Sequence, residues 1–534
     1  MRASNAAAYV QLASGVPAAS TSTTAGLPNL TAIDWAQASI RVQACDAGGA
    51  CVASNDQPLV GVLASAVGYF KASNTGTDDR FGRSVALSAD GNTMAVAAHS
   101  EDSGADGVNG DQADGSAVDA GAVYVFARGA AGWIQQAYLK ASNSASIAFF
   151  GGALALSSDG GTLAVGAQGE SNGGNNSGAA YVFVRSGTSW SQQAYLKPVN
   201  GDSGDNFGRS VSLSGNGNTL AVGAPLESSA ATGSEGDETD DTKPASGAVY
   251  VYVRAANGTW SQQEYLKASN SGIGDFFGFR VALSESGATL AVSAPQEASN
   301  ASGIGGNQLD NSASRAGAVY VFVRVIGFGG IDWTQQAYLK SSNAQPFNEF
   351  GAALAISADG NTLAVGAAEE DSSAKGINPN GVFLQAPDSG AAYVFVRSAG
   401  IWTQEAHIKA SNTDSGDRFA SALALSANGN TLAVGAPFES SAARTVNGAQ
   451  GNRAEGDSSG AVYVFARAAG TWAQRSYVKA PNNDVDDGFG NAVALSGDGA
   501  SLAVGASQEG GAAVGLNGDR ASNGALRSGA AYLY

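Results

Sequence analysis

Residues 207–225 read Phe207-Gly-Arg-Ser-Val-Ser-Leu-Ser-Gly-Asn-Gly-Asn-Thr-Leu-Ala-Val-Gly-Ala-Pro225. The first run ends at Ser214, and Gly215-Asn-Gly-Asn218 then supplies turn chemistry. Thr219–Ala224 resumes as a β-rich apolar run. Two such runs around an Asx-Gly turn predict a hairpin. Downstream, past a long polar loop, Gly247-Ala-Val-Tyr-Val-Tyr-Val-Arg254 reads as a third strand. A short turn leads to Trp260-Ser-Gln-Gln-Glu-Tyr-Leu-Lys267, a fourth.

The phrase recurs seven times. Its Phe falls at Phe81, Phe150, Phe207, Phe277, Phe350, Phe419 and Phe489, about 68 residues apart on average. Four antiparallel strands repeated seven times predict an all-β, seven-bladed β-propeller, because radial repetition removes the exposed edges of so large a sheet. Gly contributes 73 of 534 residues, about twice the usual share of roughly 7 %, and the repeated turns account for the excess. Strands one and two are rich in Ala, Gly and Ser, which suits a crowded axis, whereas strands three and four carry the Tyr, Phe and Trp of the wider outer gaps. The chain ends on Gly529-Ala-Ala-Tyr-Leu-Tyr534, a third strand without a fourth, and Gly68-Tyr-Phe-Lys-Ala-Ser-Asn74 is a fourth strand without a third. The N-terminal strand is therefore expected to complete the last blade.

Ala-Val-Gly-Ala-Pro at 221–225 and 433–437, Ala-Val-Ser-Ala-Pro at 291–295 and the Phe-Gly upstream of them resemble the FG-GAP repeats of integrin α-chain propellers, in the short bacterial variant. The resemblance spans residues 68–534. It implies a seven-bladed propeller serving extracellular recognition. In that family some blades hold calcium in an Asp-x-Asp-x-Asp-Gly loop between strands one and two. The corresponding loops here, such as Ser88-Ala-Asp-Gly-Asn92, are too short to wrap an ion, so calcium at that place does not carry over.

The chain has 28 Lys plus Arg against 46 Asp plus Glu, a net charge of −18. That balance argues against nucleic acid and anionic membrane surfaces as partners. Apolar runs long enough to cross a membrane are absent, and residues 1–30 show no basic start followed by an apolar core. An Ala/Ser/Thr-rich flexible segment is expected over 1–32. Residues 33–67 read as a short β segment, resembling the last hairpin of a fibronectin-type-III-like domain; the alternatives are a small hairpin packed on the propeller and, on Ile33-Asp-Trp35 against Ile331-Asp-Trp333, a decayed repeat. Cys45 and Cys51 flank a Gly-Gly turn, and the spacing suits either a disulfide across a hairpin or two free thiols.

Lys recurs at the end of strand four (Lys71, Lys140, Lys197, Lys267, Lys340, Lys409, Lys479), Asn three residues later, and Glu just after strand two (Glu101, Glu170, Glu227, Glu297, Glu370, Glu439, Glu509). In an up-and-down blade the 2–3 and 4–1 loops share one face, which places all three there. Two readings stand: a rim of Lys–Glu pairs fastening the loops, worth about 0–1 kcal/mol each if exposed, or a charged ligand rim. Asp79, Asp205, Asp275, Asp417 and Asp487 stand two residues before the Phe and suit Asx-type turns. In the long first 2–3 loop, Asp102, Asp106, Asn109, Asp111 and Asp114 are candidate calcium ligands, since hard cations take several oxygens on a flexible loop. The alternative is a solvated acidic loop. The two histidines, His99 and His407, stand at repeat positions otherwise held by Pro and Tyr, and no nucleophile elbow, phosphate loop or dinucleotide fingerprint is present. The expected function is non-enzymatic: extracellular or cell-surface binding of a protein or glycan through the 2–3 and 4–1 loop face. An architectural propeller without a ligand and a propeller hydrolase or lyase are the alternatives.

Overall fold

The computed structural model describes residues 39–41, 43–46, 50–58 and 67–534, apart from 173, 235, 328–329, 380–384 and 453–456. The segment 1–32 lies outside the described residues, as do Ile33, Asp34 and Trp35.

Seven four-stranded antiparallel sheets follow one another along the chain. Blade three is representative: Ser210–Leu213, Thr219–Ala224, Ala248–Arg254 and Trp260–Leu266, paired in that order. Strand two is fully buried in every blade, whereas strand one is half-buried in most, consistent with its lining an axial channel. The first strands of successive blades are neighbours all the way round, with Phe489–Leu495 of blade seven against Phe81–Leu87 of blade one. Blade seven is completed by Gly68–Phe70, which pairs antiparallel with Ala530–Leu533: Tyr532 lies opposite Tyr69, and Ala531 opposite Phe70.

A second closure was not visible in the sequence. The residue after the Ser that ends strand one donates its N–H to the carbonyl of its counterpart in the next blade. The links run Ala89 to Ser158, Gly215, Glu285, Ala358, Ala427, Gly497 and back to Ala89, each 2.8–3.0 Å. This unbroken collar of seven backbone hydrogen bonds encircles the axis at the 1–2 turns, the end opposite the 2–3 and 4–1 loops.

The core lies between blades. Phe207 is wholly buried, with its ring 5.4 Å from Tyr250 and 6.1 Å from Tyr252, both edge-on. Its cluster also takes Ala164 and Val182 from blade two. The glycine of the Gly-Ala-x-Tyr strand is dictated by close approach: Gly247 has φ 81°, and a Cβ there would lie 2.0 Å from the Phe277 carbonyl oxygen of the next blade. At the turn end, Arg254 stacks on Trp260, and Trp260 Nε1 donates to Gln193 of the preceding blade at 2.9 Å.

Before the propeller, Gln43–Cys45 pairs with Cys51–Ala53 and Ser39–Ile40 pairs with Gln57–Pro58. Cys45 faces Cys51 and the two are joined as a disulfide, the first of the two alternatives. Among the described residues no helix is long and apolar enough to cross a membrane.

Candidate functional site: the loop face

The 2–3 and 4–1 loops are bonded directly to one another. Ile147 N–H donates to Val118 O, Gly274 N–H to Pro244 O and Asp78 N–H to Leu526 O. They form one continuous face at the end of the channel away from the collar.

Beneath that face each recurring Lys meets the recurring Glu of its own blade. The pairs are Lys71–Glu509, Lys140–Glu101, Lys197–Glu170, Lys267–Glu227, Lys340–Glu297, Lys409–Glu370 and Lys479–Glu439, with Nζ–Oε2 distances of 2.6–2.9 Å. They are buried, not exposed as the surface-pair estimate assumes. Strand four ends under the 2–3 loop, which roofs the ammonium. Lys197 alone is partly exposed, 20 % of its side chain, in blade two, whose 2–3 loop is the shortest.

The remaining valences are filled by repeat residues. Lys267 Nζ also donates to Ser246 Oγ (2.8 Å), and Tyr265 OH donates to Glu227 Oε1 (2.8 Å). The recurring Asn reaches across the blade boundary: Asn482 Nδ2 donates to Glu509 Oε1 (3.0 Å) while its Oδ1 accepts from Tyr532 OH (2.7 Å). Asn200 departs, donating to the Glu238 carbonyl instead. Satisfied in this way, each pair staples strand four to the 2–3 loop of its own blade, and the Asn ties that staple to the neighbouring blade. Removing one partner would strand a buried charge, a loss of about 3–5 kcal/mol.

The recurring Asp accepts the N–H three residues before it, as Gly76 to Asp79 (2.6 Å) and Asp484 to Asp487 (2.9 Å). Burial, with the nearby Glu adding, pushes these carboxyls up to about 6 at Asp275, about 7 at Asp79 and Asp205, and about 8 at Asp417 and Asp487.

The five candidate calcium ligands are each engaged with a separate N–H. Asp102 accepts from Asp119, Asp106 from Ser144, Asn109 from Tyr138, Asp111 from Ala113 and Asp114 from Ser116. As arranged they do not form a coordination shell, and no three His, Cys, Asp or Glu side chains are grouped to hold a metal among the described residues.

His407 stacks on Tyr393, ring centroids 4.8 Å apart, in the tyrosine position of the repeat. His99 sits against Phe149, and burial pushes its imidazole pKa down to about 3. Sequence reading passed over the arginines. Arg83, Arg209 and Arg280 follow the Phe-Gly of blades one, three and four, where the other blades carry Gly, Ala, Ser or Asn. That departure from the repeat was the available signal.

The face also concentrates exposed apolar side chains. Ile147, Val199, Ile273, Phe347 and Val485 in 4–1 loops, and Val118, Leu309, Val514 and Leu526 in 2–3 loops, are each more than half exposed.

Among solved structures of similar shape are the RRP9 WD40 repeats (10 % identity, 88 % of this chain and 96 % of that one, TM-score 0.44). A periplasmic gluconolactonase, PpgL of Pseudomonas aeruginosa, is 15 % identical over 84 % of this chain and 93 % of its own, TM-score 0.41. The Cps50 (Swd1) β-propeller domain of Myceliophteria thermophila is 11 % identical over 82 % and 95 %, TM-score 0.42. No curated protein sequence matches the chain. The FG-GAP repeat family model matches residues 133–183, 190–252, 260–322, 333–395 and 402–465. Every match opens in strand four of one blade and closes in strand three of the next, the same phase in which Gly68–Phe70 opens the ring. The chain belongs to the FG-GAP repeat family.

Proposed function

We propose that this chain is a non-catalytic binding or adhesion module of the cell surface or extracellular space, taking a protein or glycan on its 2–3 and 4–1 loop face. The observation that carries the reading is the set of exposed apolar residues spread around that face, on loops fastened to a rigid ring. Val199 is 90 % exposed, Leu309 84 % and Ile273 71 %. Apolar side chains spread over one face, set among polar loops, suit a partner surface. The Cys45–Cys51 disulfide supports an oxidising compartment.

The test is a screen of immobilised chain against glycan and protein arrays, with and without calcium. It is repeated with Ile273→Asp, Phe347→Asp and Val485→Asp combined, and with Ile134→Asp, Ile326→Asp and Ile401→Asp at the opposite, 3–4 turn end. Binding lost in the first set and kept in the second supports the reading. No binding under either condition, or equal loss in both sets, overturns it.

A further inference from the structure

The protein carries −18 overall, yet at the loop-side end of its first strands Arg83, Arg209 and Arg280 lie near enough to disfavour one another's charge, with no carboxylate acting on any of them. Arg83 and Arg209 sit one residue past the Phe-Gly of blades one and three, and Arg280 two residues past that of blade four, all where strand one begins beside the axis. Arg209 and Arg280 stack on the same ring: their Cζ atoms lie 4.6 Å and 4.8 Å from the Phe279 centroid. Arg280 donates weakly to the Phe279 carbonyl, 3.4 Å away. None of the three forms an ion pair among the described residues. Glu349, which precedes its Phe as Arg80 does in blade one, is instead taken by Arg315, and Glu369 by Arg315 and Arg418.

The group is electrostatically unfavourable as it stands. Burial pushes the Arg209 guanidinium down to about 10 with Arg83 adding to the shift, and Arg280 is lowered by burial and then by both Arg209 and Arg83. His99 is coupled to Arg83, Arg80 and Arg209, and its Nδ1 is buried without a hydrogen-bond partner. Guanidiniums whose faces stack on an aromatic ring still present N–H edges, the geometry that grips oxoanions. The backbone collar rings the opposite end of the channel, and the cluster lies at the loop-side end.

We propose that Arg83, Arg209 and Arg280, braced by Phe279 and flanked by His99, form a binding site for a doubly charged tetrahedral oxoanion, sulfate or phosphate, free or as the ester group of a larger ligand. Three cations without an ion-pair partner match two negative charges better than one, which sets acetate apart as a weak binder. The site goes beyond the loop-face reading and does not require it.

Calorimetric titration of the full chain with sodium sulfate, sodium phosphate and sodium acetate at fixed ionic strength tests the site, with glucose 6-sulfate and glucose 6-phosphate as the ester arms. Saturable binding of sulfate or phosphate is expected, with acetate at least about tenfold weaker. Ester binding at least as tight as the free ion assigns the site to an ester-bearing ligand, and binding of the free ion alone assigns it to that ion. Arg209→Gln and Arg280→Gln supply the second readout. Because each removes an uncompensated charge, the ligand-free Tm should rise while the sulfate-dependent gain in Tm disappears. Arg527→Gln at the outer rim should keep both binding and gain. Absence of saturable binding, or a sulfate gain unchanged in Arg209→Gln and Arg280→Gln, overturns the proposal.

Discussion

The aspartates before each Phe-Gly show how one residue type, copied around a ring, becomes a property of the protein. Their carboxyls are buried beside the Glu of the staples, so the folded state favours the protonated form. A raised folded pKa contributes stability that is full below the unfolded value of 3.8 and is lost as pH rises through the folded value. For Asp417 and Asp487 that loss runs up to about 8, for Asp79 and Asp205 to about 7. His99 has the opposite sign. Its folded pKa of about 3 lies below the usual 6.5, so its contribution is present above 6.5 and lost as pH falls. The two effects oppose each other between about pH 4 and 6.5, and the aspartate contribution continues to fall from there to about pH 8. Tm should therefore fall across pH 6.5–8. Asp417→Asn with Asp487→Asn should flatten that slope, since an amide keeps the acceptor for Asp414 and Asp484 N–H and cannot ionise. Calorimetric scans across the window check it, and an unchanged slope in the double variant would place the titration elsewhere.

At the scale of strands, the closing strand Gly68–Phe70 lies far from its blade in sequence yet completes it. Tyr69 and Phe70 are fully buried, Tyr69 OH bonds Glu509, and Lys71 is the blade-seven staple. Truncating a buried aromatic costs about 3–5 kcal/mol, so deleting residues 1–71 should lower Tm well below that of a chain lacking only 1–58. It should also bare the edge of Ala530–Leu533 and promote association, seen by size exclusion. Equal Tm for the two deletions would show that closure contributes nothing. The strand was legible because its Tyr-x-Lys-x-x-Asn pattern is that of the other fourth strands, save the one in which His407 replaces the Tyr. The blade count and strand order were legible for the same reason: turn chemistry and apolar periodicity repeat seven times in register. Burial of the Lys–Glu pairs was not legible, because it depends on how the variable 2–3 loops lie over the strand ends. The collar was not either, because it joins backbone groups of residues as unlike as Gly215 and Glu285. The arginine cluster was half legible: Arg83 and Arg209 break the repeat visibly, but only the closed ring brings blade one and blade three together at the loop-side end.

For the molecule as a whole, the staples change the meaning of the charge. Taking seven Lys and seven Glu out of 28 basic and 46 acidic residues leaves 21 against 39, so all of the −18 lies outside the buried pairs. Much of it is on the long loops: Asp102, Asp106, Asp111 and Asp114 all lie within the first 2–3 loop. Like charges on a compact body repel, and salt screens exposed charges beyond a Debye length of about 8 Å at 0.15 M while leaving buried pairs nearly untouched. Raising NaCl from about 20 to about 200 mM should therefore raise Tm, because repulsion weakens and the staples do not. Calcium tests the same loops more sharply. Each candidate ligand is bonded to its own N–H; if the loop keeps those contacts, calcium and magnesium at equal concentration should raise Tm equally, and a chelator should return both to the sodium value. A calcium increment above magnesium, abolished by Asp102→Asn with Asp106→Asn, would mean that the loop gives up the Asp119 and Ser144 contacts to gather an ion. The loop face would then be a calcium-organised surface instead of one held by its own backbone.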